Sequence, residues 1–349
     1  MRLCIIGGST REPGGVETFC ERALEAVRAH WSEADGLWIP ADSAFMRPAR
    51  LPRLLRGLRA LYRAQRTPID VVWLNVSNLP DLLYLYLAKA LGIPVLATLH
   101  LGANSRLQRG AVLRRLCRLL LRRADRIALL FEGQDAEIDL PGSVPRATIR
   151  TFLPRESFLP RPPHEGGDLL HLIHAGRLSE GKGSFAMVDL CAALERAGTH
   201  FTARIVGRGD ETVMEALHAR IEANGLKHRI ALSDWLAGPA LLDALRHADV
   251  LVHLSRLDSF PLTVLEAMAS GTVPIAIDMA GVRVMTETYG GHLVDPDAAV
   301  AEAAGWIAGK TLADLRRRGD TMGEQVRDAY SWPACVATLR AALDATRSG

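Results

Sequence analysis

Two carboxylates eight residues apart stand out in the second half of the chain. Asp258 follows an apolar run at 250–254, and Glu266 lies in a helix-period segment that ends at Gly271 and Pro274. Carboxylates accept paired hydrogen bonds from vicinal hydroxyl groups, such as those of a ribose or a hexose. The pattern predicts a sugar-binding loop and helix, although a turn residue and a surface charge would produce the same letters.

A glycine-rich loop with two cations follows the first strand predicted in this half. It reads Gly-Arg-Leu-Ser-Glu-Gly-Lys-Gly over residues 176–183, with Arg177 and Lys182 five residues apart. The loop nearly matches a phosphate-binding motif, but Gly183 stands where that motif has a hydroxyl residue to hold magnesium. Two fixed cations suit a diphosphate without a metal. The alternative is an exposed loop with ordinary charges.

Another glycine-rich run, residues 7–15, follows the first predicted strand of the chain and ends at Gly14 and Gly15. Such a run lets the backbone approach an anion at a helix N-terminus, and a plain turn is equally compatible with it. The spacing is not that of a dinucleotide-binding motif. His100 ends another predicted strand, where a parallel sheet binds ligands, or it is a structural histidine.

Short apolar runs alternate with helix-period segments along the whole chain. The predicted strands are 3–6, 71–75, 95–100, 127–131, 169–174, 202–206, 230–232, 250–254 and 273–277. The predicted helices include 16–30, 81–91, 184–197, 211–223 and 239–247. This alternation predicts an α/β protein with parallel sheets. A stretch rich in proline and glycine, 154–167, predicts the linker between two domains.

The charge distribution, the cysteines and the apolar segments indicate where the protein works and how it is divided. Residues 1–160 hold 23 Arg and Lys against 15 Asp and Glu, whereas residues 161–349 hold 19 against 24, so the two halves carry +8 and −5. The five cysteines have no paired spacing, which favours a reducing cytosol over a disulfide framework. The opening residues look like a buried strand, not a signal peptide, and the apolar stretch 79–101 is broken by charges and Pro94. A cytoplasmic location is therefore expected.

Two arginine-rich segments lie in the basic half. Arginines recur with leucines between them at positions 50, 53, 56, 59, 63 and 66, and again at 109, 114, 115, 118, 122 and 123. Both segments fit a basic amphipathic helix that contacts an anionic membrane, and both also fit the solvated face of a packed helix. Nucleic acid is not expected as a partner, because aromatic residues are only 5% of the chain and no binding motif accompanies the arginines.

Together these motifs resemble glycosyltransferase family 4, the retaining GT-B enzymes. The resemblance rests on Gly-Gly-Val-Glu from Gly14, Thr-Leu-His100, the 176–183 loop, Ile-Val-Gly207-Arg-Gly, the segment 248–274, and Tyr-Ser-Trp from Tyr330. It implies two Rossmann-like domains whose parallel sheets face across a cleft. Residues 1–155 would bind the acceptor, 156–329 the nucleotide-sugar donor, and 330–349 would form a helix that returns to the first domain.

The resemblance implies a function and a role for each matching residue. The family transfers a sugar, here a hexose, with retention and without a metal, from a nucleoside-diphosphate sugar to a saccharide or lipid-linked acceptor, as in cell-envelope polysaccharide or lipopolysaccharide synthesis. Arg177 and Lys182 would stabilise the leaving diphosphate, and Glu266 would hold the ribose. The remaining matches would surround the transferred sugar, the phosphates or the acceptor: Asp258, Ser259, Phe260, His100, Gly14, Gly15 and Gly207.

The sequence departs from the family pattern in ways that keep other functions open. Asp258 replaces the usual glutamate, Pro261 replaces a glycine, Ala-Gly-Val-Arg-Val around Gly281 replaces Gly-Gly-Val-Pro-Glu, and Leu-Pro-Arg at 153–155 replaces the interdomain Asn-Gly. A non-catalytic GT-B subunit that binds sugar nucleotides or a partner remains an alternative. A GT-B epimerase or phosphorylase is another.

Overall fold

The computed structural model describes residues 1–9, 14–43, 51–154, 158–163, 167–236 and 238–348. The chain divides into two compact units, Met1–Arg155 with Tyr330–Gly349, and Glu156–Ala329. The prediction of two parallel sheets in an α/β protein is confirmed, because each unit contains one six-stranded sheet. Parts of three predicted features lie outside the described residues: positions 10–13 of the first glycine-rich run, Arg50, and positions 155–157 and 164–166 of the linker.

The first unit is built on the basic half of the chain. Its strands are β1 (Arg2–Ile6), β2 (Asp35–Ile39), β3 (Val71–Val76), β4 (Val95–Leu99), β5 (Arg126–Leu129) and β6 (Arg146–Thr148). They lie in the order β2-β1-β3-β4-β5-β6, and every pair is parallel. The residues of β3 and β4 are all buried, as expected for strands of a parallel sheet covered on both faces.

Among the described residues, six α-helices of this unit connect its strands. They are α1 (Gly15–His30), α2 (Leu51–Ala64), α3 (Leu82–Ala90), α4 (Arg106–Arg109), α5 (Ala111–Leu121) and α6 (Gln134–Glu137). Buried residues of α2, α3 and α5 join one hydrophobic cluster with β1, β3, β4 and β5, so these three helices cover the same face of the sheet. The apolar stretch 79–101 forms α3 and then β4, as predicted.

The second unit repeats the alternation of strand and helix. Its strands are β7 (Leu170–Arg177), β8 (Phe201–Arg208), β9 (Ile230–Ser233), β10 (Val250–His253), β11 (Val273–Ile277) and β12 (His292–Val294). They lie in the order β12-β11-β10-β7-β8-β9, again parallel throughout. The strands β2, β6 and β12 were missed by the sequence prediction. Each is only three to five residues long and half of its positions or more are not buried, so the apolar signal is weak.

The helices of the second unit connect these strands and close the sheet. They are α7 (Ser184–Arg196), α8 (Glu211–Ala223), α9 (Pro239–Arg246), α10 (Leu262–Ala269), α11 (Ala280–Tyr289), α12 (Ala299–Ala308) and α13 (Leu312–Ala329). The variant segment around Gly281 forms the start of α11.

The last helix, α14 (Trp332–Arg347), packs in the first unit against α1 and β3 to β6. The buried indole of Trp332 donates a hydrogen bond of 2.8 Å to the carbonyl of Leu153. Close by, the Cys335 thiol donates to the carbonyl of Thr151 over 3.1 Å. All five cysteines are buried and free, so they act as small apolar residues of the core.

Candidate active site

The loop between β7 and α7 carries the two cations predicted to bind a diphosphate. Arg177 is the last residue of β7 and is exposed, and Lys182 lies just before the start of α7. Ligands of parallel α/β sheets bind at the carboxyl ends of the strands. A helix N-terminus also favours an anion. Both cations therefore lie at an edge of the second unit that suits a phosphate group.

Gly183 lies where a phosphate-binding loop would carry a hydroxyl side chain, and the structure leaves no room for one. Its backbone is left-handed, with φ +82°, and a Cβ atom there would lie 2.4 Å from the carbonyl oxygen of Leu254. No threonine or serine fits this position without moving the backbone after β10. The glycine is thus required by close packing between two loops, which the sequence alone did not indicate.

These two loops, 178–183 and 254–261, are held together along their length. The backbone N–H of Arg256 donates to the carbonyl of Gly181 over 3.0 Å. A Cβ on Gly181 would lie 2.7 Å from the side chain of Leu257. The loop that carries Lys182 and the loop that carries Asp258 therefore form one packed structure, although 76 residues separate these two side chains in sequence.

Lys182 and Asp258, predicted separately to bind the diphosphate and the sugar, are in direct contact. The ammonium of Lys182 pairs with Asp258 Oδ1, and the other carboxylate oxygen lies 3.1 Å from Nε2 of His253, the last residue of β10. Burial acts to raise the pKa of Asp258, but the contact with His253 and the positive charge of Lys182 outweigh it and lower this pKa well below its usual value. The carboxylate is therefore ionised.

A second buried histidine fixes the start of α7. Nδ1 of His174, in β7, lies 3.0 Å from the carbonyl of Val252, and Nε2 lies 3.1 Å from the hydroxyl of Ser184. Since a carbonyl only accepts, Nδ1 carries the proton and Ser184 donates to Nε2. Burial lowers the pKa of His174 to about 4, which keeps the ring neutral. The Ser184 hydroxyl also accepts a hydrogen bond from the N–H of Ser179. His174 therefore orients Ser184, and Ser184 ties the start of the loop to the start of α7.

The predicted ribose ligand, Glu266, lies in α10 and is only 4% exposed, which excludes its interpretation as a surface charge. Ser259 and Phe260 lie in the loop just before this helix and are partly exposed. The helix begins after Pro261, whose missing N–H is one that a helix start does not need. The replacement of glycine by proline is therefore compatible with the local structure.

Gly207 lies near the end of β8, beside Gly176 of β7. A Cβ on Gly207 would lie 1.8 Å from the carbonyl oxygen of Gly176, and its φ of +154° also favours glycine. This pair of glycines lets β7 and β8 run side by side to the edge that carries Arg177. The close approach of the two strands is enough to explain a glycine at position 207. Contact with a ligand is not needed to explain it.

The remaining candidates lie in the first unit. His100 follows β4, with its Nε2 3.0 Å from Asn75 Oδ1 and its ring packed edge-on against Phe19 at 4.9 Å. Burial lowers the pKa of His100 to about 4, so the ring is neutral near pH 7. Gly14 and Gly15 begin α1, and a Cβ on Gly14 would lie 2.6 Å from a carboxylate oxygen of Glu17.

The structure thus gathers most of the predicted site in one unit. Six of the candidates lie in the second unit on adjoining loops and strand ends or on α10, and Gly207 belongs to the same sheet: Arg177, Lys182, Asp258, Ser259, Phe260 and Glu266. His100, Gly14 and Gly15 lie in the other unit. Over the described residues, no three His, Cys, Asp or Glu side chains are grouped as metal ligands would be.

Two residues of this region, His174 and His253, escaped the sequence prediction. His253 is the one polar residue of β10, Val-Leu-Val-His, and His174 lies among apolar neighbours in the Leu-Ile-His-Ala part of β7. A histidine near the carboxyl end of a buried strand was a usable signal, and His100 was selected on that basis.

The chain is similar to solved glycosyltransferase structures over nearly its whole length. A crystal structure of Anabaena HepE in complex with UDP and glucose superposes with a TM-score of 0.77, at 14% identity, over 98% of this chain and 99% of that one. At this identity the likeness concerns the fold. Together with its two six-stranded parallel sheets, it places the protein in the GT-B class of folds.

Sequence comparison then defines the family. The family model for a glycosyl transferase 4-like domain matches residues 9–154, and that for glycosyl transferases group 1 matches residues 159–318. The phosphatidyl-myo-inositol mannosyltransferase of Mycolicibacterium smegmatis is 31% identical over 285 residues, 77% of this chain and 69% of that protein. The chain belongs to the group 1 glycosyltransferases, glycosyltransferase family 4.

Other relatives match over shorter segments. Mannosylfructose-phosphate synthase of Agrobacterium fabrum is 28% identical over 182 residues, half of this chain. The chain covers 40% of that protein's length, and 43% and 50% of two further curated relatives. Because the relatives are named for different sugar transfers, the substrates of this chain are matters for proposal.

Proposed function

We propose that the protein is a retaining, metal-independent hexosyltransferase that uses a nucleoside-diphosphate sugar and a saccharide or lipid-linked acceptor, in cell-envelope polysaccharide or lipopolysaccharide synthesis. One observation carries the proposal. Lys182 and Asp258 come from distant loops and meet at the carboxyl edge of the sheet. A cation that suits a diphosphate thus lies beside a carboxylate that suits sugar hydroxyls. This arrangement matches a sugar diphosphate, in which the sugar and the diphosphate are directly joined.

The proposed reaction depends on electrostatic stabilisation of the leaving group. Arg177 and Lys182 neutralise the charge that develops on the departing diphosphate. Asp258 contacts the transferred sugar, with the backbone amides of Ser259 and Phe260 nearby, and Glu266 binds the ribose. The acceptor hydroxyl attacks the face from which the diphosphate leaves, through an oxocarbenium-like state, so that the configuration is retained.

Roles are also proposed for three residues of the first unit, His100, Gly14 and Gly15. His100, neutral at pH 7, offers a hydrogen bond beside the sugar and does not act as a proton donor of ordinary acidity. The turn at Gly14 and Gly15 offers backbone N–H groups to a phosphate or to the acceptor. In the second unit, Gly207 is proposed to assist donor binding by keeping the ends of β7 and β8 close together beside Arg177.

A panel of UDP-, GDP- and ADP-sugars tests the proposal against its alternatives. Transfer to an added acceptor, or slow release of nucleoside diphosphate, supports a glycosyltransferase. An epimerised sugar nucleotide or phosphorolysis would indicate the other GT-B enzyme classes. Binding of a nucleotide with no turnover on any acceptor would indicate a non-catalytic subunit.

We predict that turnover needs no divalent metal. The position that would carry a magnesium-binding hydroxyl is Gly183, and its packing against Leu254 leaves no space for a side chain. The charges of Arg177 and Lys182 take the place of the metal. Initial rates should be equal in excess chelator and in millimolar magnesium. Loss of turnover in chelator that magnesium restores would contradict this mechanism.

The described residues include no helix with the length and hydropathy needed to cross a membrane. They do include an unusual surface, the apolar–basic face, formed by α2, α3 and α5 on one side of the first sheet. Ten large hydrophobic side chains of the described residues are exposed, and eight lie on this face: Leu51, Leu55, Tyr62, Leu83, Tyr86, Val112, Leu116 and Leu119.

The arrangement of this face favours a membrane over plain solvation. The central helix, α3, exposes Leu83 and Tyr86, and its single charged residue, Lys89, is paired with Asp125. The flanking helices add exposed arginines, including Arg56, Arg59 and Arg63 on α2. Exposed apolar groups bordered by cations suit the interface of an anionic bilayer. We therefore propose peripheral contact with the cytoplasmic surface of a membrane that holds the acceptor.

Membrane contact predicts a specific pattern in cosedimentation with liposomes. Binding should rise with the fraction of anionic lipid and fall with salt. R56Q/R59Q/R63Q should bind roughly a hundredfold more weakly at low salt, because each arginine near the surface contributes about 1 kcal/mol. L83S/Y86S should also weaken binding, whereas L159S, at an exposed leucine of the second unit, should not. No binding of the wild-type chain at low salt would indicate a soluble acceptor.

A further inference from the structure

His253 occupies a place in the site for which the proposed function has so far assigned no role. It is 6% exposed at the end of β10, and Nε2 lies 3.1 Å from Asp258 Oδ2, without the alignment of a good hydrogen bond. Lys182 pairs with the opposite oxygen of the same carboxylate. The carboxylate is thus held between two basic side chains from different elements, one in the β7–α7 loop and one in β10.

The surroundings of His253 do not explain its presence as a core residue. Among the described residues, Nδ1 of His253 is buried and has no hydrogen-bond partner. The neighbouring His174 has a partner for each ring nitrogen, Val252 and Ser184. An unpaired polar atom in a buried place lowers stability, and an apolar side chain would avoid that loss. The contact that distinguishes His253 is therefore its approach to Asp258.

Donor binding places two demands on Lys182. In the structure its ammonium balances Asp258, whereas the proposed function requires it at the diphosphate, whose larger negative charge competes for the same cation. The side chain of Asp258 is four-fifths buried, so its carboxylate is destabilised when Lys182 moves away. This loss of free energy opposes donor binding unless the carboxylate keeps another partner.

We propose that His253 is a positioning residue that serves as the second partner of the Asp258 carboxylate and so frees Lys182 to bind the donor diphosphate. The inference rests on the proposed function and adds a step to it. When the diphosphate arrives, Lys182 turns its charge toward the phosphate oxygens. His253 stays beside Oδ2, and the carboxylate keeps both a partner and the orientation in which it meets the sugar.

The test is a set of titrations with UDP, GDP and ADP, using whichever binds the wild-type protein most tightly. H253L should bind that nucleotide roughly tenfold more weakly, since a partly buried charge has lost one partner. D258N should bind it at least as well as the wild type, because Lys182 no longer has a competing anion. H253L/D258N should match D258N, because without the carboxylate His253 has nothing to balance.

The conservative variant H253Q separates positioning from packing. Its amide nitrogen can reach Asp258 as Nε2 does, so it should recover most of the lost affinity, while H253N is too short and should behave like H253L. In turnover assays, H253L should raise KM for the donor more than it lowers kcat. If H253L does not fold, as judged by circular dichroism, H253N takes its place in every comparison.

Equal nucleotide affinity of H253L and the wild type would overturn the inference. The inference would also be overturned if His253→Leu lowered nucleotide affinity as much in the D258N background as in the wild type. Equal losses would mean that the role of His253 is independent of Asp258. Failure of the proposed function is a separate result. In that case the wild-type protein itself binds none of the three nucleotides, although it is folded.

Discussion

Replacing Arg177 or Lys182 by alanine is expected to lower kcat/KM by roughly thirtyfold to a thousandfold. Each residue provides a charge-assisted contact to the leaving diphosphate, and loss of one such contact removes about 2–4 kcal/mol of transition-state stabilisation. Arg177 ends β7 and Lys182 lies in the loop that follows it, at the carboxyl edge of the sheet, so unfolding should not explain the loss. The measurement is steady-state kinetics with the donor that the sugar-nucleotide panel identifies, alongside thermal unfolding.

Matched controls are available in the same unit. Arg318 lies in α13 and Lys227 lies before β9, and both are exposed and remote in sequence from the two loops of the site. R318A and K227A should keep kcat/KM within about twofold, as expected for surface positions. Wild-type kcat/KM in R177A and K182A would mean that the diphosphate binds elsewhere.

Gly183→Ala is expected to lower the free energy of unfolding of the second unit by roughly 2–6 kcal/mol and to remove most activity. An alanine there must adopt a left-handed backbone and also meets the Leu254 carbonyl at 2.4 Å. The strain and the overpacking each contribute about 1–3 kcal/mol. Gly183→Thr, which completes the phosphate-loop motif, should be worse and should gain no magnesium-dependent turnover.

Gly198→Ala separates the two causes of this loss. Gly198 also has a left-handed backbone, with φ +70°, but no atom lies within 4 Å of a Cβ placed there. Its substitution should therefore lose only the strain, about 1 kcal/mol. Denaturant unfolding of G183A and G198A measures the difference directly. Equal losses would show that Gly183 can move away from Leu254 and that the two loops are packed less closely than the structure indicates.

The sequence predicted the architecture because each half alternates apolar strands with helix-period segments. It predicted Arg177 and Lys182 because their loop departs from a known motif at one position only. It could not predict that Lys182 meets Asp258, since this contact depends on how Gly181 and Gly183 pack against the loop after β10. A contact between loops is set by tertiary packing, for which the local pattern carries no signal.

Other features were hidden because their local pattern is ambiguous. His253 reads as one polar residue in an apolar strand, and only the position of Asp258 gives it a partner. The apolar side of α3 reads as part of a buried helix, since hydrophobicity alone does not tell core from exposed surface. In the structure, Leu83 of α3 is 50% exposed. The arginine-rich helices α2 and α5 and the exposed side of α3 therefore belong to one surface, the apolar–basic face.

The most direct test of the account is a crystal structure of the protein with a nucleoside diphosphate bound. The diphosphate oxygens should lie within hydrogen-bond distance of Arg177 and Lys182, and the ribose hydroxyls should meet Glu266. Lys182 should have shifted away from Asp258, while His253 remains beside it. A nucleotide bound away from the β7–α7 loop, or a diphosphate that contacts neither cation, would contradict the central claim.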